Sequence, residues 1–282
     1  MEVAETIQSV RKLVKAARAE GKKIGFVPTM GALHTGHISL IEAAAQQTDF
    51  VVVSIFVNPT QFGPGEDFEK YPRPISADLE ICKQHGVDAV FVPTPEKMYQ
   101  KNNLTWVNVE KLTEPLCGQF RPGHFRGVTT VCAKLFNIVT PDIAFFGQKD
   151  AQQAIVIKRM VADLNMPLKI IVCPTIRESD GLAVSSRNQY LTKQQRKDAT
   201  LIYKSLQKCQ EVVETGVTNT KEIIDQMYAI LNRIPSAKIE YVSIVNAETL
   251  ESIDKITGKV LAAVAVKIGS TRLIDNILVD AG

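Results

Sequence analysis

Residues 24–37 read Ile24-Gly25-Phe26-Val27-Pro28-Thr29-Met30-Gly31-Ala32-Leu33-His34-Thr35-Gly36-His37. The first six form a short, mostly apolar run, which predicts a buried strand over 24–29. From 37 to 47 the apolar positions recur at helical spacing, which predicts a helix entered through the tetrad His34-Thr35-Gly36-His37. A buried strand feeding a helix through a tight polar turn opens a βαβ unit, so this stretch decides the fold class.

The same alternation extends outward. Runs rich in Val, Ile and Phe at 50–57, 89–92, 143–146 and 168–172 are bounded by Pro, Gly or Asn and predict further strands. Helical periodicity fills 75–85, 128–139 and 151–164 between them. The expectation is an α/β fold over residues 1–175, a doubly wound, Rossmann-like parallel sheet with right-handed crossovers. Residues 104–109 are a candidate for an additional strand. Residues 1–23 read as an amphipathic helix carrying Ile7, Val10, Leu13, Val14 and Ala17 on one face. Beyond 176 the pattern changes. A charged helix is expected over 192–214, with Thr192 as N-cap and Gly216 near its end, and another over 220–232, ahead of Pro235. Strand-like runs at 239–245, 260–266 and 273–278 follow without helices between them. Residues 176–282 are therefore expected to form a smaller α+β domain.

Bulk composition narrows the functional classes. With 282 residues, 45% hydrophobic and 22% charged, the chain has the balance of a packed globular protein. Its 33 basic and 30 acidic side chains are intermixed and leave a net charge of only +3, which argues against a nucleic-acid partner. No apolar run is long enough to span a bilayer, so no membrane partner is expected. The five cysteines are odd in number and form no C-x-x-C pair, as expected of free thiols in a reducing cytoplasm.

Four polar clusters follow the carboxyl ends of predicted strands. In the first, two of the four histidines of the chain stand within four residues at a helix opening. Free N–H groups there favour an anion, and Gly36 allows close backbone approach. The spacing is neither the dinucleotide fingerprint nor the Walker phosphate loop. Incidental capping and half of a metal site are the competing readings, although no local carboxylate or cysteine completes a ligand set. The second cluster, Asn58-Pro59-Thr60-Gln61, offers neutral donors and acceptors suited to a hydroxy-carboxylate, or is a plain Asn-Pro turn. The third, Gly147-Gln148-Lys149-Asp150, places a flexible cation beside a carboxylate that either caps a helix or accepts from ribose; Gln152 and Gln153 follow. The fourth runs from Ile176-Arg177-Glu178 to Val184-Ser185-Ser186-Arg187-Asn188, a phosphate clamp or a solvated turn. All four fall where open α/β sheets bind ligands, which points to a nucleotide-handling site.

With these clusters in place, the chain resembles a known family. The run from Pro28 to His37 resembles the H-x-G-H motif of the nucleotidyltransferase superfamily, whose sheet is similar to that of class I aminoacyl-tRNA synthetases. Phe56-Val57-Asn58-Pro59-x-Gln61-Phe62, Arg121-Pro122-Gly123-His124-Phe125, Phe146 to Asp150 and Ser185 to Asn188 resemble the pantothenate synthetase family specifically. The resemblance covers about residues 20 to 195. It implies condensation of pantoate with β-alanine at the expense of ATP, through a pantoyl-adenylate, with release of AMP and pyrophosphate, usually with Mg2+ and in a homodimer. It implies that Met30, Gly31, Ala32, Leu33, His34, Thr35, Gly36 and His37 line ATP, together with Gly147, Gln148, Lys149, Asp150, Ile176, Val184, Ser185, Ser186 and Arg187. His37, His34 and Lys149 would be catalytic, and Gln61, Gln153, Asn58 and Arg121 would serve the acid and amine substrates. Where some members carry an acidic run after Tyr71-Pro72-Arg73, this chain has Ser76-Ala77-Asp78, so Asp78 is the local carboxylate candidate for the metal. Magnesium would then be held mostly by ATP phosphates and water. Rival readings are a nucleotidyltransferase acting on a phosphate-bearing metabolite, which should show extra basic residues where this chain has Gln61 and Gln153, and a catalytically silent nucleotide-binding protein.

Overall fold

The structure, a computed structural model, describes residues 1–281. It divides into two compact units. Unit 1 comprises Met1–Thr113, Arg121–Gln148 and Gln153–Pro174, and unit 2 comprises Glu114–Phe120, Lys149–Gln152 and Thr175 onward. Two short segments that precede the end of unit 1 in the chain thus belong to the second unit.

Unit 1 is built on six parallel strands, β1 (Glu2–Ala4), β2 (Ile24–Thr29), β3 (Phe50–Ile55), β4 (Ala89–Phe91), β5 (Ile143–Gly147) and β6 (Lys169–Cys173), in the order β1-β4-β3-β2-β5-β6. The helices are α1 (Ile7–Ala19), α2 (Thr35–Gln47), α3 (Ile75–Gln84), the short α4 (Pro95–Met98), α6 (His124–Val139) and α7 (Ala151–Asp163), while α5 (Cys117–Phe120) lies in unit 2. Side chains alternate across the sheet as strand geometry requires. Val27, Val53, Val90 and Phe145 bury one face with Leu40, Ile41 and Ala44 of α2 and Cys82 of α3. Phe26 and Phe146 face the other way and meet Phe136 of α6 edge-on, at 6.4 Å each. Helices on both faces make the sheet doubly wound, as expected.

Unit 2 contains the antiparallel sheet β7 (Ala237–Asn246), β8 (Lys259–Ile268) and β9 (Thr271–Asp280), with β8 central. Ile202, Leu206 and Cys209 of α9 (Thr200–Glu214) and Ile223 and Met227 of α10 (Thr220–Leu231) join the inward residues of β8 in one core. The sequence expectation of one helix over 192–214 is corrected: α8 (Lys193–Asp198) and α9 are separate, meeting at Ala199. Thr192 does cap α8, accepting from the Gln195 N–H.

Two further expectations are revised. Residues 104–109 form no strand, because Val107 satisfies its backbone on a helix: its N–H donates to Thr130 Oγ1 and its carbonyl accepts from Thr129 Oγ1. The N-terminal stretch opens with β1 rather than helix, since Glu2–Ala4 pairs in parallel with β4; three residues are too few to show an alternation.

Candidate active site

The strand order reverses at β2, which has β3 on one side and β5 on the other. Loops leaving the carboxyl ends of β2 and β5 diverge there, and such a switch point is where open α/β sheets form a crevice. The turn after β2 is tightly specified. Gly31 has φ +82° and Ala32 φ +51°, and a Cβ on Gly31 would stand 2.9 Å from Asp78 Oδ2 and from a methyl of Ile55. Beneath the turn, Asp78 of α3 is buried and accepts from the Ala32 N–H (2.9 Å, Oδ2) and the Leu33 N–H (2.8 Å, Oδ1). Thr29 Oγ1 accepts from the Gly31 N–H and donates to the Ser54 carbonyl.

Asp78, the local carboxylate candidate for the metal, is 1% exposed. Both its oxygens are engaged in bracing the backbone of the H-x-G-H turn. Among the described residues no group of three or more His, Cys, Asp and Glu side chains is gathered to hold a metal ion.

The two histidines cap α2 reciprocally. His34 Nδ1 accepts from the Gly36 N–H (3.2 Å), and His37 Nδ1 accepts from the His34 N–H (3.3 Å). Their rings lie 4.1 Å apart, tilted by 35°. Because each Nδ1 is an acceptor, each neutral ring carries its proton on Nε2. The capping alternative is thus realised, and it also fixes two N–H vectors at the start of a thirteen-residue helix, where anions are favoured.

Beside this turn, β3 leads through Asn58 into a 3-10 turn, Pro59–Gln61. Asn58 is 1% exposed. Its Oδ1 accepts from Thr60 Oγ1 and Tyr99 OH, so its Nδ2 is the donor, to Gln61 Oε1 (3.1 Å) and the Gly127 carbonyl (3.2 Å). Gln61 in turn directs Nε2 at Met30 Sδ, 3.0 Å away. Asn58, Gln61 and the Met30–His37 turn are therefore one assembly. Gln153 stands half-buried in the first turn of α7, Gly147 closes β5, and Gln148 opens the 3-10 turn that follows.

Arg121, expected beside the substrates, is held by protein groups on several sides. Its Nε and Nη2 donate to Glu66 Oε1 and Oε2 (2.7 and 2.6 Å), Nη2 also reaches the Gln61 carbonyl (3.2 Å), and Nη1 lies 3.0 Å from His124 Nε2. The guanidinium braces the Gln61 loop, leaving little of it for a substrate. Burial pushes the Glu66 carboxyl up, but the Arg121 hydrogen bonds and charge outweigh it, and the net shift is downward. His124 and Glu66 were not singled out from the sequence; the Arg121-Pro122-Gly123-His124-Phe125 run was the available signal for the former.

Unit 2 holds the remaining expected residues. The Val184 N–H donates to the Ile176 carbonyl (3.0 Å), closing a turn that leads to Ser185, whose Oγ accepts from the Arg187 N–H. That turn is tied to β9 by Arg177, bidentate to the buried Asp275 at 2.6 and 3.0 Å. The Lys149 carbonyl accepts from Asn276 Nδ2 (2.9 Å), and Asp150 is exposed. Gln152, buried, accepts from the Cys117 N–H and donates to the Pro115 carbonyl, a structural duty. All five cysteines are free and buried, and burial pushes the Cys82, Cys132 and Cys209 thiols up to about 12.

Comparison with known proteins decides the family. Residues 2–278 match the family model described as pantoate-beta-alanine ligase. The chain belongs to this family. It is 55% identical over 278 residues to pantothenate synthetase of Thermoanaerobacter pseudethanolicus, covering 99% of this chain and 98% of the relative. Against the Acetivibrio thermocellus pantothenate synthetase it is 53% identical over 280 residues, covering 99% and 100%. The crystal structure of the Thermus thermophilus pantothenate synthetase superposes with a TM-score of 0.94 at 42% identity, covering 98% of this chain and 99% of that one. The Francisella tularensis pantoate-beta-alanine ligase, complexed with beta-gamma ATP and beta-alanine, gives 0.82 at 37%, covering 99% and 97%. Membership of the pantoate-beta-alanine ligase family makes the chain an enzyme, and the six-stranded parallel sheet followed by a small antiparallel sheet is the architecture of these neighbours.

Proposed function

We propose that this enzyme forms pantothenate from pantoate, β-alanine and ATP through a pantoyl-adenylate. The observation that carries the reading is the joined assembly of unit 1: two histidine Nε2–H donors at the start of α2, beside an amide whose orientation Asn58 fixes. In the first half-reaction the pantoate carboxylate attacks the α-phosphorus of ATP, the bond to the bridging oxygen breaks, and pyrophosphate leaves. In the second, the β-alanine amine attacks the acyl carbon, loses a proton, and AMP departs. The first step brings two anions together and the second builds negative charge on the acyl oxygen, so placed donors contribute most; each is worth about 3 kcal/mol at the transition state.

In this reading His37 and His34 donate to the phosphates, and the backbone from Met30 to Gly36 lines the nucleotide. Gly147, Gln148, Lys149, Asp150, Ile176, Val184, Ser185, Ser186 and Arg187 are assigned to adenosine and phosphate contacts, with Lys149 as the catalytic cation. Gln61 and Gln153 take pantoate. Magnesium is placed with the ATP phosphates and water, because Asp78 is engaged elsewhere. No helix among the described residues is long and apolar enough to cross a membrane, and a cytoplasmic location is proposed. A homodimer is proposed too. Its support is the 103–109 stretch, which exposes two large apolar side chains, Leu104 at 89% and Trp106 at 40%.

Pantoate-dependent ATP–pyrophosphate exchange, followed by AMP release on adding β-alanine, tests the reading. His37→Ala and Lys149→Ala are each expected to slow exchange at least about 100-fold. Exchange that ignores pantoate, or near-normal turnover in both variants, would overturn it.

A further inference from the structure

We infer that the segment entering α6 is the buttress that aims Gln61 at the acid substrate, with His124 and Glu66 as positioning residues. The inference rests on the reading that Gln61 holds pantoate. Three contacts from this segment converge on one turn. His124 Nδ1 lies 2.8 Å from the Gln61 carbonyl, Arg121 Nη2 donates to the same oxygen at 3.2 Å, and the Gly127 carbonyl accepts from Asn58 Nδ2. Gly127 makes that approach possible, since a Cβ there would run into the Thr60 carbonyl and the Gln61 nitrogen.

The hydrogen-bond roles are determined by elimination. A guanidinium only donates and a carbonyl oxygen only accepts. His124 must therefore accept from Arg121 at Nε2 and donate from Nδ1 to Gln61, which selects one neutral tautomer. Glu66 holds Arg121 from the opposite side in a two-point pair, so the guanidinium cannot turn without losing both bonds. Asn58 then takes Gln61 Oε1, leaving Nε2 as the donor on the Met30 side. The Gln61 carbonyl is thus held by Arg121 and His124, and its side chain by Asn58, which the Gly127 carbonyl of α6 holds in turn.

The chemistry selects a substrate class. What Gln61 presents is a neutral N–H, and the Arg121 charge next to it is matched by Glu66. This arrangement suits the oxygens of a singly charged hydroxy-carboxylate and gives no unmatched cation for a second phosphate.

Steady-state kinetics of the full-length enzyme test the inference, with Gln61→Ala as reference. His124→Phe keeps a ring but removes both hydrogen bonds, and is expected to raise KM for pantoate about tenfold, the size of one lost hydrogen bond to a positioned group, with KM for ATP unchanged. His124→Asn, which restores a donor near Nδ1, should recover most of that loss, whereas a merely structural role would not be rescued. Glu66→Gln, which keeps the side-chain volume, should raise the pantoate KM in the same direction and serves if His124→Phe does not fold. Equal rises in both KM values with a lower Tm, or an unchanged pantoate KM in His124→Phe and Glu66→Gln alongside a raised one in Gln61→Ala, would overturn the buttress. An unchanged pantoate KM in Gln61→Ala would instead overturn the reading beneath it.

Discussion

Two carboxylates in unit 1 titrate in opposite directions, and the difference follows from what each one faces. Asp78 meets only backbone N–H groups; burial raises its pKa above 3.8, and the Leu33 and Ala32 donors only partly offset this. Glu66 meets a guanidinium, and its pKa falls below 4.5 despite burial. For Glu66 the folded value is depressed, so its stabilising contribution is present above 4.5 and is lost as pH falls through the folded pKa. The stability difference between the parent and Glu66→Gln should thus be constant near neutrality and shrink on acidification below that value, as chemical denaturation across pH would show. For Asp78 the sign reverses: its contribution is full below 3.8 and diminishes as pH rises through the raised folded pKa. Asp78→Ala strands two amides of the H-x-G-H turn. It should cost about 2 kcal/mol in denaturant unfolding and lower pyrophosphate exchange without any change in metal requirement. A shifted magnesium dependence in that variant would instead support a ligand role for Asp78.

At the scale of elements, two joints set the geometry of the polar loops. In unit 1 the joint is the first turn of α6 against the 3-10 turn Pro59–Gln61, closed by Gly127. Gly127→Ala should destabilise by about 1–3 kcal/mol, the usual cost of overpacking, and weaken pantoate binding more than ATP binding. In unit 2 the joint is Arg177, stacked 3.8 Å over the Tyr203 ring and paired with Asp275, which ties the turn carrying Ile176 and Val184 to β9. Asp275 is 3% exposed, so Asp275→Ala leaves a cation poorly compensated and should cost about 3 kcal/mol by thermal or denaturant unfolding. Loss of less than a third of that would mean that the turn relaxes and hydrates Arg177.

For the whole molecule, the proposed dimer carries its own test: Leu104→Asp should shift the mass measured by light scattering from dimer to monomer, whereas an unchanged mass would place the interface elsewhere. The α/β character of residues 1–175 was legible in the sequence because β2, β3 and β5 are buried on both faces and so read as continuous apolar runs. The H-x-G-H turn was legible for a similar reason, since a strand end, a glycine and a helix start are local in the chain. Asn58 and Gln61 were recognisable as a polar turn suited to a hydroxy-carboxylate, but a plain Asn-Pro turn read equally well until the family resemblance favoured the first. Other features depend on residues distant in sequence. Glu66 and Arg121 meet across 55 positions, and Asp78 reaches Ala32 across 46, distances at which periodicity carries no information. The same limit explains the missed β1, whose three residues are a strand only because β4 is beside them, and residues 104–109, where threonine hydroxyls of α6 replace a partner strand. The sequence by itself determined the layers of the fold and the chemistry available at the strand ends, because burial and turn geometry are written in local residue types. Tertiary structure decided what each charged group is for, because a carboxylate or guanidinium has no fixed role until its partners are in place.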